Sequence, residues 1–357
     1  MPSTMNFTNT TPVPASFLVS EIAGKPARFG MVVAKATYRF DASGPFDVDS
    51  NDPFPIFPGD VTTPLGLLPR DDLPRNDPAF EVIVLGQAYS PRGRAVGQLR
   101  VHLRVGEVER DMIVFGDRLW QSGGSIGSPK PFTRMPLTWE RAFGGSADIL
   151  IDRDSPVTVA DPTNRLGKGF DHTRAVEGFR QNFTPPDGYP QYDSTRPLPN
   201  LEDPAALISK WDDTPRPICW ATVPLDLGLH AVRSIDPVET HKVLSGTSVR
   251  SALFHRAHPD WVISVPPAEA VVVADGLTED GPFAFAIQKL RVLVDWIVDK
   301  EHGTSELVPQ MIVILPDQKR YYLVFRCLVD VAFRPEIERS VRLRLAEGWH
   351  QPALSRK

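Results

Sequence analysis

The 357-residue sequence is poor in cysteine and has no long hydrophobic run. Its two cysteines, Cys219 and Cys327, lie far apart without metal-ligand spacing, which disfavours a disulfide-rich secreted scaffold. No apolar stretch approaches the roughly 18 residues that a membrane-spanning helix needs. The first residues have neither a basic start nor an apolar core. We therefore expect no signal peptide, no membrane insertion and a cytoplasmic location.

The sequence also has no basic excess and no recognisable cofactor motif. Lys and Arg number 39 against 44 Asp and Glu, which gives a net charge of −5 at pH 7. Binding to a nucleic-acid backbone requires clustered positive charge, so nucleic acid is not an expected partner. The stretches SGGSIG (122–127) and GKGF (167–170) do not match a phosphate-binding loop, and no GxSxG nucleophile motif occurs. We expect no cofactor and no lipase-type serine triad.

Proline is the residue in excess. The chain contains 36 prolines, about twice the usual share, and this favours turns and long ordered loops over helices. Between the loops, runs rich in β-branched and aromatic residues predict strands. They lie at 29–40, 80–90, 97–105, 108–120, 271–277, 283–298, 311–316 and 319–333. The expected fold is mainly β, with antiparallel sheets in a sandwich or barrel-like body, long Pro/Gly-rich loops and one or two short helices.

Two hairpins and one helix are the most specific structural predictions. Residues 97–120 alternate apolar and polar side chains on the way to a turn at GEVER, which is typical of half-buried antiparallel strands. A second hairpin over 311–333 turns at PDQK. The stretch LEDPAALISKW (201–211) predicts a helix, with Asn200 as its N-cap and acidic residues in its first turn.

The end of the chain and the domain organisation are less sharply determined. The segment PEIERSVRLRLAEGW (335–349) fits either a helix or a strand. We expect an N-terminal β-rich unit with long loops over residues 1–203. A C-terminal β-rich unit over 204–357 is expected to pack with it as one compact body.

Two groups of residues invite a metal-site interpretation. HRAHPD places His255 and His258 three positions apart beside Asp260, a spacing that binds zinc on a helix. The proline within this stretch disfavours a helix, so we expect surface histidines in a loop and no metal. An acidic run lacks the glycine and terminal glutamate of a calcium-binding EF-hand loop; its members are Asp148, Asp152 and Asp154.

The segment MPLTWERAFGG (135–145) admits two functional interpretations. Glu140 and Asp117 have the chemistry of the paired carboxylates that glycosidases use. Each is followed directly by an arginine, and a fixed arginine lowers the pKa of a neighbouring acid, which is unfavourable for a general acid. The favoured hypothesis is therefore structural. Glu140 and Arg141 pair with Arg118 and Asp117, and these charge pairs fix the connection between the first β unit and the long loop region that follows.

The backbone pattern of the same segment supports the structural interpretation. Alternation of Met135, Leu137 and Trp139 predicts a strand with one apolar face. The chain then bends before two glycines, which permit backbone angles and close approaches that other residues resist. Together with GDRLW, the segment forms a predicted structural signature, whose residues are Asp117, Arg118, Trp120, Trp139, Glu140, Arg141, Phe143, Gly144 and Gly145.

Several motifs in a fixed order resemble a known family. They are VVAKATYRF, VLGQAYSPRG, VGEVERDMIVFGDRLW, SPKPFTRMPLTWERAFGG, NRLGKGF and LPNLEDP. This series resembles an uncharacterised bacterial family, a domain of unknown function, that is encoded in type VI secretion clusters beside VgrG spike and PAAR tip proteins. The resemblance is strongest over about 29–203, and it provides no established site residues.

The resemblance implies a non-enzymatic chaperone or adaptor. Such a protein would bind and stabilise a secretion effector or a PAAR-linked segment and help to load it on the VgrG spike. The alternative hypothesis is a β-sandwich hydrolase or carbohydrate-binding protein. It would use Glu140 and Asp117 together with loop aromatic residues, namely Trp120, Trp139 and Tyr189.

Overall fold

The protein is built almost entirely of strands. The structure is a computed structural model that describes residues 6–21, 28–41, 44–73, 79–121, 124–152, 155–171, 196–225, 227, 255–263, 269–298, 300–330 and 339–346. In chain order its strands are β1 (Asn6–Asn9), β2 (Ala15–Glu21), β3 (Arg28–Asp41), β4 (Gly44–Val48), β5 (Val61–Thr63), β6 (Gly66–Leu68), β7 (Phe80–Val84), β8 (Gln87–Tyr89), β9 (Gln98–Val105), β10 (Val108–Phe115), β11 (Arg134–Pro136), β12 (Phe143–Gly144), β13 (Ser146–Asp152), β14 (Ser155–Ala160), β15 (Lys168–Gly169), β16 (Leu201–Glu202), β17 (Val262–Ile263), β18 (Val271–Asp275), β19 (Phe283–Ala286), β20 (Val292–Val298), β21 (Glu301–Glu306), β22 (Val308–Leu315), β23 (Arg320–Asp330) and β24 (Arg339–Leu345). Short 3-10 segments occur at Pro91–Gly93, Trp139–Arg141, Pro259–Trp261 and Pro316–Gln318.

The largest sheet joins strands from both ends of the sequence. Its order is β17-β7-β22-β23-β3-β2, and β4 also pairs with β3. β3 and β23 pair antiparallel along most of their length, whereas β7 and β22 run parallel. Consecutive residues of β3 from Gly30 to Tyr38 are buried, so both faces of this strand are covered. A strand covered on both faces is expected to have a nearly continuous apolar sequence.

Two further sheets complete the main body. One has the order β16-β10-β9-β18-β19, and the other has the order β1-β24-β20-β21. Stacked aromatic rings connect the first of these to the largest sheet: Phe285 lies 4.4 Å from Tyr321, and Phe40 lies 4.7 Å from Phe283, between ring centroids. Such ring pairs add about 0.5–1.5 kcal/mol each beyond the burial of their surface. Smaller two-stranded sheets are β5–β6, β8–β11, β12–β15 and β13–β14.

Residues 49–73 cross one face of the largest sheet, and we call them the covering segment. The backbone amide of Phe54 donates to the Thr37 hydroxyl at 2.9 Å. Farther along, Asp60 accepts two hydrogen bonds from the buried Arg256 guanidinium at 2.9 and 2.8 Å. These contacts fix the covering segment at two points that precede the β5–β6 hairpin.

The structure confirms the predicted fold class and both hairpins. Antiparallel pairs predominate, and within the described ranges no sheet closes into a barrel. β9 and β10 pair in the expected hairpin, with Leu99 opposite Val114. β22 and β23 form the second hairpin around the Pro316–Gln318 turn. The tail is a strand: β24 pairs with β20 and β1, and it buries Val341 and Leu343.

Two of the predictions from sequence are wrong. The helix expected over 201–211 is absent, because Leu201 and Glu202 pair with β10 as a short strand and turns follow. Tertiary contacts override the local helix propensity here. The single strand expected over 283–298 is divided between β19 and β20, which belong to different sheets. Within the described part of the chain, no helix has the length and apolarity needed to cross a membrane.

Candidate functional site

An open groove of about 650 Å³ lies beside the MPLTWERAFGG segment. Three parts of the chain form its walls: the β5–β6 hairpin, residues 136–141, and residues 221–224. Leu166 and Lys168 border it from a fourth side. Trp139, Glu140 and Arg141 of the predicted signature thus line one groove. This groove is the candidate site.

Trp139 anchors the wall of the groove. Its side chain is 3% exposed, and its indole N–H donates to the carbonyl oxygens of Thr222 at 2.9 Å and Ala221 at 3.2 Å. The ring also stacks on His258, at a centroid distance of 6.3 Å. A buried indole whose donor is satisfied is a rigid packing element. It therefore ties residues 221–222 to the turn that presents Glu140.

Glycine is required at the end of the segment. Gly144 and Gly145 have φ angles of 134° and 126°, which side-chain-bearing residues rarely adopt. A Cβ atom on Gly144 would lie 2.1 Å from the Asn164 carbonyl oxygen. The Gly145 amide donates to this same oxygen at 2.7 Å. The close approach predicted from the two glycines is thus made with the backbone of Asn164.

Asp117 is the centre of a small charge network next to the groove. Its carboxylate accepts a hydrogen bond from Asn200 at 3.1 Å and lies 3.5 Å from Lys168 and 4.0 Å from Arg141. The Asn200 hydrogen bond, helped by the charges of Lys168 and Arg141, lowers the pKa of Asp117. Burial is the main cause that lowers the pKa of Lys168. The predicted Arg141–Asp117 pair is therefore present, as part of this network.

The predicted pairing of Glu140 with Arg118 is wrong. Arg118 forms a buried ion pair with Glu202 instead, donates to the Pro199 carbonyl at 3.0 Å, and lies 3.6 Å from the centroid of the Phe115 ring. Neighbouring side chains of an extended chain point to opposite sides. Arg118 is therefore directed away from the partners of Asp117, towards the strand that pairs with β10. Burial raises the pKa of Glu202, against the opposing effect of Arg118.

Glu140 is exposed and belongs to the wall of the groove. The two basic side chains of the groove lining, Arg141 and Lys168, both lie within 4.0 Å of Asp117. The groove therefore presents an acidic group whose basic neighbours contact another carboxylate.

The other two aromatic residues of the signature lie elsewhere. Trp120 and Phe143 belong to a second apolar cluster that also contains Leu198 and Ile208. Trp211 packs against this cluster, with its ring centroid 5.3 Å from that of Trp120. These two signature residues therefore have a packing role. Tyr189, which the hydrolase hypothesis invoked, lies outside the described residues.

The sequence did not predict the contacts of two buried asparagines, Asn164 and Asn200. Asn164 donates from its side-chain amide to the carbonyls of Trp139 and Phe143, both at 2.9 Å. Asn200 was predicted as a helix cap, but it donates to the Phe115 carbonyl at 3.0 Å and accepts from Arg141 at 3.1 Å. Asn164 is the first residue of the motif NRLGKGF, and Asn200 lies in the motif LPNLEDP. An asparagine between glycine- or proline-rich neighbours was the available signal.

The HRAHPD histidines have structural contacts. Both His255 and His258 are buried, contrary to the expectation of surface histidines. The Nε2 atom of His258 lies 3.1 Å from the Pro217 carbonyl, and its Nδ1 accepts from the Asp260 amide at 3.2 Å. Asp260 also pairs with Arg216 at 3.0 Å. Within the described ranges, no three His, Cys, Asp or Glu side chains form a cluster suited to a metal ion. Asp154 of the acidic run lies outside them.

The cysteines are poorly suited to nucleophilic chemistry. Burial raises the pKa of the Cys219 thiol to about 12, and it also raises the pKa of Cys327. The Sγ atom of Cys219 lies 3.4 Å from the Leu137 carbonyl, behind the groove wall. Since the thiolate is the reactive form, a thiol with a raised pKa is inert near neutral pH.

The comparisons with known proteins concern the chain as a whole. Residues 26–326 match a family described as "Uncharacterized protein conserved in bacteria (DUF2169)". No curated protein and no solved structure gave a significant match. The matched region includes the whole groove and the signature segment. Because the match extends over most of the sequence, the chain belongs to the DUF2169 family of bacterial proteins.

Proposed function

We propose that this protein is a non-enzymatic adaptor that binds an extended segment of a partner protein in the groove beside Trp139. The observation that carries the proposal is the composition of that groove. It combines an exposed leucine, an exposed carboxylate and a short hairpin around rigid walls. Grooves of this kind recognise peptides through apolar anchors, charge pairing and backbone hydrogen bonds.

The apolar contribution comes from Leu166. This side chain borders the groove and is 38% exposed. Thr62 and Leu67 of the hairpin, together with Pro136, line the same space. A partner side chain placed there would remove apolar surface from water at about 25 cal/mol per Å².

The hairpin supplies backbone groups. β5 and β6 pair only with each other among the described strands, so their outer edges have no strand partner. An unpaired edge can accept an additional strand. An extended peptide could thus gain main-chain hydrogen bonds from the hairpin while its side chains enter the groove.

Glu140 supplies charge selectivity. It is the exposed carboxylate of the groove, and its basic neighbours contact Asp117. A partner segment with a lysine or arginine beside an apolar residue would complement it. At the rim of an interface, such a pair affects association rate and specificity more than affinity.

The partner we propose is a type VI secretion effector or a PAAR-linked segment. This part of the proposal rests on the motif resemblance alone. In this role the protein would keep its client stable in the cytoplasm and help to load it on the VgrG spike. The rigid walls described above are compatible with this role, since a preformed groove limits the entropy lost on binding.

A hydrolase or carbohydrate-binding role for Glu140 and Asp117 is the second candidate. The hydrogen bond from Asn200 and the two basic neighbours keep Asp117 ionised, which suits a charge anchor and not a general acid. Glu140→Gln discriminates between the candidates. An enzyme would lose turnover, whereas an adaptor would retain its fold and lose selectivity for basic segments.

Co-expression with the products of neighbouring genes tests the proposal directly. The full chain carries an affinity tag, and each neighbouring effector or PAAR protein is expressed beside it. The proposal predicts stable co-purification of at least one client, with reduced yield for Glu140→Lys. If no neighbouring product binds and the neighbours are unrelated to secretion, the proposal is wrong.

A further inference from the structure

A lysine and an aspartate meet in the buried space between the largest sheet and the covering segment. Lys35 lies on β3 and Asp71 on the covering segment, and both side chains are 0% exposed. The Lys35 Nζ atom lies 2.6 Å from Asp71 Oδ2. The two side chains bring together an amine and a carboxyl group, away from solvent.

Two aromatic rings and the buried Arg326 side chain lie close to the pair. Lys35 Nζ lies 3.8 Å from the centroid of the Phe57 ring and 4.7 Å from that of the Tyr322 ring. Removing two opposite charges from water is unfavourable, and their attraction compensates for it only if the remaining polar atoms of the pair also have hydrogen-bond partners. This condition is not met, because Asp71 Oδ1 is buried without a hydrogen-bond partner.

Burial also makes the neutral form of the lysine easier to reach. Burial lowers the pKa of Lys35 to about 8, against the opposing effect of Asp71, and the nearby positive charge of Arg326 lowers it further. A neutral amine is the nucleophilic form of lysine. The Tyr322 hydroxyl is buried too, and burial raises its pKa well above the usual value. Tyr322 therefore stays protonated beside the pair.

We propose that Lys35 and Asp71 join through an isopeptide bond after the chain folds. A proton passes from the Lys35 ammonium to the Asp71 carboxylate, which gives an amine and a carboxylic acid. The Nζ atom then attacks the carboxyl carbon, a bond forms between Nζ and this carbon, and the carbon–Oδ1 bond breaks. Oδ1 leaves as water with two hydrogens from the original ammonium group. No oxidant, cofactor or other reactant is needed.

The amide product fits its surroundings better than the ion pair does. Its N–H can donate to the Pro55 carbonyl, which Lys35 Nζ already contacts at 2.8 Å. Its carbonyl oxygen, the former Oδ2, can accept from the Phe57 amide, which already donates to it at 2.7 Å. The atom that leaves is the one buried without a hydrogen-bond partner. The reaction therefore removes two buried charges and one unsatisfied polar atom.

The bond would attach the covering segment covalently to the largest sheet. The β5–β6 hairpin, which forms one wall of the groove, lies between the two joined residues in sequence. The cross-link would thus hold this wall against the sheet even when neighbouring contacts open. This inference does not depend on which partner the groove binds.

Mass spectrometry of the purified full chain tests the proposal. The expected intact mass is lower than the sequence mass by one water molecule. Digestion with trypsin under denaturing conditions should give a branched peptide that joins residues 29–39, uncleaved at Lys35, to residues 71–75. Lys35→Arg and Asp71→Ala should each have their full sequence mass and no branched peptide, whether or not these variants fold.

Two results would overturn the proposal. One is a wild-type chain at its full mass whose digest contains the separate linear peptides. The other is loss of one water without the branched peptide, because a cyclic imide formed at an aspartate has the same mass change. Both readouts are made on the wild-type protein, so they stand independently of the stability of the variants.

Discussion

Replacing Arg118 by methionine should destabilise the fold through the charge that it leaves behind. Arg118 and Glu202 are 5% and 1% exposed, so solvent does not screen their interaction. Arg118→Met would leave the Glu202 carboxylate buried without its ionic partner. Breaking a buried pair in this way costs about 3–5 kcal/mol. Urea unfolding followed by tryptophan fluorescence measures the loss.

The cost should depend on pH in a defined direction. Burial raises the pKa of Glu202 above its ordinary value of 4.5, and Arg118 opposes this shift. A group whose pKa is raised on folding favours the folded state when it is protonated. This contribution is complete below the unfolded pKa and is lost as pH rises through the folded pKa. Without Arg118 the folded pKa of Glu202 rises further, so the variant should lose more stability than the wild type as pH rises above the ordinary value of 4.5.

A double-mutant cycle supplies the control. Glu202→Gln retains an oxygen that can accept from the Ile208 amide, which donates to Glu202 at 2.9 Å. Arg118→Met with Glu202→Gln should therefore recover at least about 1 kcal/mol relative to the sum of the single variants, and should lose the additional pH dependence. Additive losses that do not change with pH would refute the reasoning.

Two further predictions concern the close backbone approach at Gly144 and the Cys219 thiol behind the groove wall. Gly144→Ala should lower the free energy of unfolding in urea by about 2–4 kcal/mol, because the new Cβ meets the Asn164 carbonyl and the φ angle is unfavourable for alanine. Gly59→Ala is the control: a Cβ there would meet no atom within 4 Å, so the free energy of unfolding should hardly change. Equal effects at the two glycines would contradict the proposed close approach. Cys219 should resist iodoacetamide near pH 8 in the folded protein and react after unfolding, because burial raises its pKa to about 12. Rapid labelling of folded Cys219 would show that the thiol is accessible.

The strands that alternate locally were predictable from sequence. β9 and β10 are neighbouring strands with one buried and one exposed face, so the polarity of each residue indicates the face of the sheet on which it lies. The helix prediction over 201–211 failed because Glu202 is directed inwards to Arg118, a residue far away in sequence. Local propensity contains no information about this partner. The short strands β13 and β14 were not predicted, because the sequence around them resembles that of a loop.

The candidate site was only partly predictable. The Arg141–Asp117 contact followed from charges in two adjacent motifs. The predicted pairing of Arg118 with Glu140 was wrong, because the direction of the Arg118 side chain depends on how β10 and β16 pair. The groove itself requires the covering segment to lie beside residues 136–141. No pattern within either segment encodes that placement.

The most direct test of the adaptor proposal is the affinity of a co-purified client for two matched surface variants. Leu166→Glu places a charge at the groove, whereas Ile297→Glu places one on β20, at a side chain that is 45% exposed and does not line the groove. The proposal predicts binding at least about tenfold weaker for Leu166→Glu, a loss of about 1.4 kcal/mol, and unchanged binding for Ile297→Glu. If the client binds the Leu166→Glu variant with the same affinity as the wild-type protein, the proposal is contradicted.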